Sequence, residues 1–281
     1  MSLTSFLKIP EVRERFKANF LFEVPVLDER LKAPPLTLNY QLVGTAFDYL
    51  LRFHLEKINK NVLQGTWVAE HGVELAKSNR KIHKNLVAVL DKAKETHLKF
   101  LKTGTMNREL IKTSLELAKL DGIFRARHRG IIFPDMKDIQ TKDISDLQNL
   151  ISLVNDSVFK SKKITILNPT FGTGSKIVGG ADADLVIDDT LIDIKTTKDP
   201  KFKKDYYFQL IGYYILYKIG GIDGIQKSKI KNVAVYFSRQ GILHKIPVST
   251  FENSKFKQFI EWFQEQAEFE NEFKKDFGES F

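Results

Sequence analysis

Residues 179–197 read Gly-Gly-Ala-Asp182-Ala-Asp184-Leu-Val-Ile-Asp-Asp-Thr-Leu-Ile-Asp193-Ile-Lys195-Thr-Thr, and residues 206–214 read Tyr-Tyr-Phe-Gln209-Leu-Ile-Gly-Tyr213-Tyr. Two short apolar, β-branched runs flank Asp188-Asp189-Thr190, a composition that predicts strand, turn and strand. Strand side chains alternate faces. Asp182, Asp184 and Val186 therefore share one face of the first run, and Leu191, Asp193 and Lys195 share one face of the second. If Asp188-Asp189 is a two-residue turn, 187 pairs with 190 and Asp184 stands opposite Asp193. A turn shifted by one residue sets Asp184 against Lys195 and Asp193 against Val186. The same residues share the face in either register.

Carboxylates forced side by side repel, and one takes up a proton unless a cation intervenes. A hard, oxygen-seeking ion such as Mg²⁺ or Mn²⁺ resolves that conflict. It also polarises a phosphoryl oxygen and lowers the pKa of a bound water. Lys195 on the same face is placed to orient that water or to stabilise charge building up at phosphorus. The plainer alternative is an exposed hairpin whose acids and lysine are merely solvated. Asp is a poor strand former, which argues against that alternative.

Past a short basic stretch, residues 202–218 read as a helix. Tyr206, Gln209 and Tyr213 fall at i, i+3 and i+7 and share a face. Five of the eight tyrosines lie between 206 and 217. Part of that density is packing against the sheet; the polar face carries Gln209 and Tyr213 towards the hairpin.

Outward from this centre, the second half predicts a compact α+β unit. Lys163–Asn168, Lys176–Ile187, Leu191–Thr197, Val233–Phe237 and Ile242–Val248 read as strands. A last helix, about 251–271, has Phe256, Phe259, Ile260, Phe263 and Ala267 on one face. The first half reads as mostly helical. Leu42, Ala46, Tyr49, Leu50 and Phe53 mark a helix over about 41–58. Further helices are predicted over 66–102, 107–121 with Gly122 as its stop, and 145–158. Residues 1–40 read as irregular, with Pro10, Pro25 and Pro34-Pro35 as breakers. The expected division is a helical region over 1–160, lending its 41–58 helix to the site, and a core over 161–281.

Composition sets the outer limits. The 281 residues are 42% hydrophobic and 28% charged, with no cysteine. Disulfides, Cys-ligated clusters and Cys-based zinc sites are thereby excluded. No apolar run reaches membrane-spanning length and no secretory signal is read at the N-terminus, so a cytoplasmic protein without membrane contact is expected. The net charge is +9, yet residues 251–281 hold eight acids against four lysines, leaving about +13 on the rest. Such an imbalance favours a polyanionic partner. Arg125, Arg127 and Arg129, clustered with His128, and Lys198 beside the hairpin are candidate phosphate contacts.

Asp184, Asp193-Ile194-Lys195 and Gln209-Leu-Ile-Gly-Tyr213 together resemble the PD-(D/E)xK nuclease superfamily, in particular its RecB-like branch. Gly44-Thr-Ala-Phe-Asp48 stands where that branch often carries a Gly-x-x-x-His-type motif, with Asp in place of His. The resemblance covers about residues 40–56 and 175–217. It implies a restriction-endonuclease-like core, a central mixed sheet flanked by helices, and Mg²⁺- or Mn²⁺-dependent hydrolysis of DNA phosphodiesters by an exo- or endonuclease. It further implies metal held by Asp184, Asp193, the Ile194 carbonyl and Asp48, with Lys195 as catalytic lysine and Gln209 and Tyr213 beside it. Asp182, two residues before Asp184 on the same face, is the rival ligand. The alternative function is a non-catalytic nucleic-acid-binding or assembly subunit that keeps the nuclease fold.

Overall fold

Pro10 starts a helix instead of breaking the chain, because a proline in the first helical turn forfeits only an N–H that has no partner there. In this computed structural model, which describes residues 2–28, 30–127, 130–223, 225 and 229–277, the expected irregular lead-in contains two helices. α1 (Leu3–Phe6) is closed by a reciprocal Ser2–Ser5 capping box, and α2 (Pro10–Asn19) follows directly. α3 (Tyr40–Ile58) forms where the apolar spacing predicts it and buries Val43, Ala46, Phe47 and Leu50. A three-residue strand, β1 (Val62–Gln64), comes next. It is too short to announce itself by alternation.

The expected 66–102 helix is two helices, α4 (Val68–Glu74) and α5 (Arg80–Thr103), with a fresh start where the Asn79 side chain accepts the Ile82 N–H. α5 stops at Gly104, whose φ of 72° is the left-handed cap that glycine favours. α6 (Arg108–Arg125) runs straight through Gly122, which is therefore not its stop. α7 (Thr141–Ser152) and α8 (Asp156–Phe159) divide the expected 145–158 helix. The second half supplies β2 (Thr165–Leu167), α9 (Thr173–Ile177), β3 (Leu185–Ile187), β4 (Thr190–Lys195), α10 (Lys204–Gly220), β5 (Asn232–Phe237), β6 (Ile242–Pro247) and α11 (Phe256–Phe277). The expected 176–187 strand is thus helical at its start and extended only at its end.

The six strands form one mixed sheet in the order β1-β2-β3-β4-β5-β6. β1–β2 and β4–β5 are parallel, and the other neighbours are antiparallel. Parallel neighbours need a crossover. Helices α4 to α8 lie between β1 and β2 in the chain, and α10 lies between β4 and β5.

Alternation along the strands divides the core in two. Leu185, Ile187, Ile192, Ala234 and Tyr236 pack with residues of α3, α5, α6 and α7. Val186, Leu191, Val233, Val235 and Phe237 pack with residues of α1, α2, α10 and α11. Each core draws on both sides of residue 160. The point near 160 marks a change of pattern along the sequence and not a break in packing.

A buried ion pair ties the periphery to the sheet. Arg239, just after β5, donates to both oxygens of Asp146 on α7 at 2.7 and 3.0 Å, and to the Ala33 carbonyl. Among the described residues no helix is long and apolar enough to cross a membrane.

Candidate active site

The β3–β4 hairpin adopts the first of the two registers open in the sequence: Ile187 pairs with Thr190, Val186 with Leu191 and Leu185 with Ile192. The next step brings Asp184 opposite Asp193. Asp188 makes this turn possible. It takes φ 54°, a left-handed conformation that Asp tolerates better than most residues. Its carboxylate accepts the N–H groups of Lys162, Lys163 and Ile164 at 2.7–3.1 Å. Burial would raise its pKa, but these N–H groups and Lys163 hold it below the ordinary value.

Asp193 and Lys195 share the face of Leu191, which looks towards α10, so strand and helix meet there. Lys195 Nζ lies 2.7 Å from Asp193 Oδ2 and donates to Gln209 Oε1 at 3.0 Å. Gln209 Nε2 donates in turn to the Tyr213 hydroxyl at 2.9 Å. Gln209 and Tyr213 are one turn apart on α10, as their i, i+4 spacing requires. The Tyr206 ring is 5.0 Å from Lys195 Nζ, within cation–π range. Asp184 reaches across the hairpin, and its Oδ2 accepts the Ile194 N–H at 2.5 Å.

The charges are out of balance. Burial, then Asp193 and Asp48, push the Asp184 carboxyl well above its usual pKa. Burial, then Asp193, Asp184 and Asp182, push the Tyr213 phenol well up. For Lys195 burial opposes the charged form, yet Asp193 and Asp184 hold its pKa above the ordinary value. Asp193 Oδ2 is buried, and its partner is the Lys195 ammonium at 2.7 Å. Buried oxygens in native structures normally have a hydrogen-bond partner. Two carboxylates, Asp184 and Asp193, share one cleft with a single lysine, a donor set that suits a divalent cation.

These residues line a cleft of about 340 Å³, with Ser2, Leu3 and Thr4 of the N-terminal segment and Arg125 of α6 on its rim. Asp182 lines it too, 35% exposed, with Arg125 Nη2 at 3.9 Å. The two rival acids are thus told apart by their partners: Asp184 is tied to the backbone of β4, Asp182 faces an arginine. No three His, Cys, Asp or Glu side chains form a metal-holding group among the described residues. Mg²⁺ is commonly bound by only one or two carboxylates and keeps several waters, so the two-carboxylate floor still suits it.

Asp48 is not among the residues lining the cleft. Its Oδ2 meets Arg52 Nη2 at 2.6 Å, and Arg52 lies 4.4 Å over the Tyr49 ring. The Tyr49 hydroxyl donates to Asp121, which holds Arg125 at 2.5 Å. Burial raises the Asp48 pKa; Arg52 works against this, and Asp121 reinforces it. Gly44, one turn before Asp48, abuts Thr196 at the end of β4 and brings α3 to this end of the sheet.

Arg52, Asp121 and the Asp121–Arg125 pair stand outside the Asp, Asp-x-Lys and Gln-x-x-x-Tyr pattern. Both ion pairs are nevertheless spaced i, i+4 on helices, which is a legible signal. Arg127 sits 4.0 Å over the Phe124 ring outside the cleft. Lys198 is exposed in the segment after β4 and does not line the cleft. Arg129 lies outside the described residues. No protein-family model, curated protein or solved structure matches this chain.

Proposed function

We propose that the protein is a metal-dependent nuclease of the PD-(D/E)xK type, RecB-like in its motifs, that hydrolyses DNA phosphodiester bonds. The observation that carries this reading is Lys195, held between Asp193 and Gln209 in one cleft with Asp184. A solvated hairpin has no need to sequester its lysine against a buried acid and a helix-borne amide. The mixed sheet, with β3, β4 and β5 side by side and α3 and α10 on opposite faces, suits a restriction-endonuclease-like core.

Asp184 and Asp193, with the Ile194 main chain, would hold a divalent Mg²⁺ or Mn²⁺. Such an ion, when bound, supplies Lewis-acid polarisation of the scissile phosphate and acidifies water. Lys195 brings a protonated amine to the charge that develops on the phosphoryl oxygens. Gln209 fixes that amine from the side without adding charge, and Tyr213 fixes Gln209. Asp48, paired with Arg52, acts on the site through its field on Asp184.

The test is cleavage of linear and circular DNA with Mg²⁺ or Mn²⁺ by the wild type, Lys195→Ala and Asp184→Ala. The expected result is metal-dependent cleavage lost in both variants. Equal activity in all three would remove this cleft from the mechanism. The linear and circular substrates separate exo- from endonuclease action.

A further inference from the structure

Arg125 lines three cavities at once: the cleft, an adjoining groove of about 760 Å³, and an apolar cavity of about 600 Å³ between α3 and α6. Cleft and groove run into each other, sharing Arg125, Asp182 and the Gly180-Ala181 backbone. The groove continues past Phe124 to Arg127. Among the described residues no carboxylate pairs with Arg127; its guanidinium sits 4.0 Å over the Phe124 ring and donates to the Phe124 carbonyl. The His71 ring lies 5.2 Å from Phe124, tilted against it. A cation without a counter-charge, stacked on an aromatic that lines a groove, offers a ready surface for a nucleobase.

Resting on the nuclease reading above, we propose that this groove holds an unpaired strand of the nucleic acid, with a base on the Arg127–Phe124 stack and a backbone phosphate at Arg125. The size of the groove agrees. Its volume falls in the range of small-ligand pockets, roughly 300–1,000 Å³, which is room for about one or two nucleotides and far from the bulk of a duplex. Arg125 is held by Asp121 and only loosely by Asp182 at 3.9 Å, so a phosphate there competes with Asp182 for its outer nitrogen at the edge of the cleft. The strand is thus led from the stack to the carboxylates along one wall.

The experiment is fluorescence anisotropy with a labelled single strand of about 12 nucleotides and the same sequence as a blunt duplex, a length within the usual single-strand site range. Ca²⁺ replaces Mg²⁺ to prevent turnover. The wild type is expected to bind the single strand more tightly than the duplex. Phe124→Ala and Arg127→Ala each weaken single-strand binding about tenfold, in keeping with the loss of one stacked base. Phe124→Trp, which keeps a ring, retains it. Lys257→Ala on α11, which also removes one positive charge, leaves it unchanged. Circular dichroism melts verify folding.

Single-strand affinity unaltered in both groove variants, or duplex bound as tightly as single strand, overturns the proposal. The nuclease reading fails separately, through cleavage that survives Lys195→Ala. Groove variants that lose binding while Lys195→Ala still cleaves would keep the groove and discard the cleft. No binding to either nucleic acid discards the groove.

Discussion

Lys195 Nζ and Gln209 Oε1 bind each other at 3.0 Å across the gap between β4 and α10. A neutral acceptor places the amine without sharing its proton, so the two residues have separable effects. On the proposed nuclease reading, Lys195→Ala removes charge stabilisation at phosphorus, and cleavage is expected to fall roughly a hundred- to a thousand-fold. Gln209→Ala leaves the lysine anchored by Asp193 alone and is expected to cost only about tenfold, a loss of about 1.4 kcal/mol in transition-state stabilisation. Both show in kcat under saturating DNA and Mg²⁺. Equal losses would mean that Gln209 does more than hold Lys195.

The Arg239–Asp146 pair predicts a large stability effect away from the cleft. Arg239 is 1% and Asp146 0% exposed, so removing one partner leaves a buried charge without compensation. Arg239→Ala is expected to cost about 3–5 kcal/mol, read as a fall in the urea midpoint. Arg239→Met combined with Asp146→Leu removes both charges and is expected to be milder than Arg239→Ala alone. The single substitution also removes the guanidinium's bond to the Ala33 carbonyl, while the Leu36 N–H keeps Asp146 as its acceptor.

Asp188 predicts a pH dependence of stability. Its folded pKa is depressed, so its contribution is complete above the unfolded value of 3.8 and is lost as pH falls through the folded value. Asp188→Asn tolerates the positive φ but replaces one acceptor oxygen with a donor facing backbone N–H groups. A loss of about 0.5–1.5 kcal/mol is expected at pH 7, the net worth of a hydrogen bond whose donors, on Lys162 and Lys163, can still reach water. The gap between variant and wild type should close in urea titrations below pH 3.8. A gap independent of pH would assign the loss to shape instead of charge.

The elements that set the site were the ones written most plainly in the sequence. Alternation around Asp188-Asp189 put Asp184, Asp193 and Lys195 on one face, and the i, i+4 step put Gln209 above Tyr213; both patterns are local. The register remained open because it depends on Asp188 reaching backbone groups about 25 residues away. β1 was invisible since its three residues acquire a strand's conformation only by pairing with β2. Pro10 and Gly122 misled for opposite reasons: a proline is harmless at a helix start, and a glycine is tolerated inside a helix anchored elsewhere. Asp48 stands outside the cleft lining, and its capture by Arg52 depends on burial, which spacing alone does not reveal.

The two-carboxylate floor predicts a metal response that needs no turnover. Mn²⁺ at about a hundred times its Kd is expected to raise the stability of the wild type by roughly 2.7 kcal/mol, because a ligand of the native state must stabilise it. Asp184→Ala and Asp193→Ala should abolish the shift. Removing a crowded, buried acid can itself alter the baseline melting temperature, so the quantity to compare is the Mn²⁺-induced shift within each variant. Asp48→Ala should keep more than half of the shift, since one Asp48 oxygen is already held by Arg52 at 2.6 Å and the residue stands outside the cleft lining. A shift abolished by Asp48→Ala would make it a ligand equal to the other two and require Arg52 to release it on binding. A full shift in all three variants would locate the ion elsewhere.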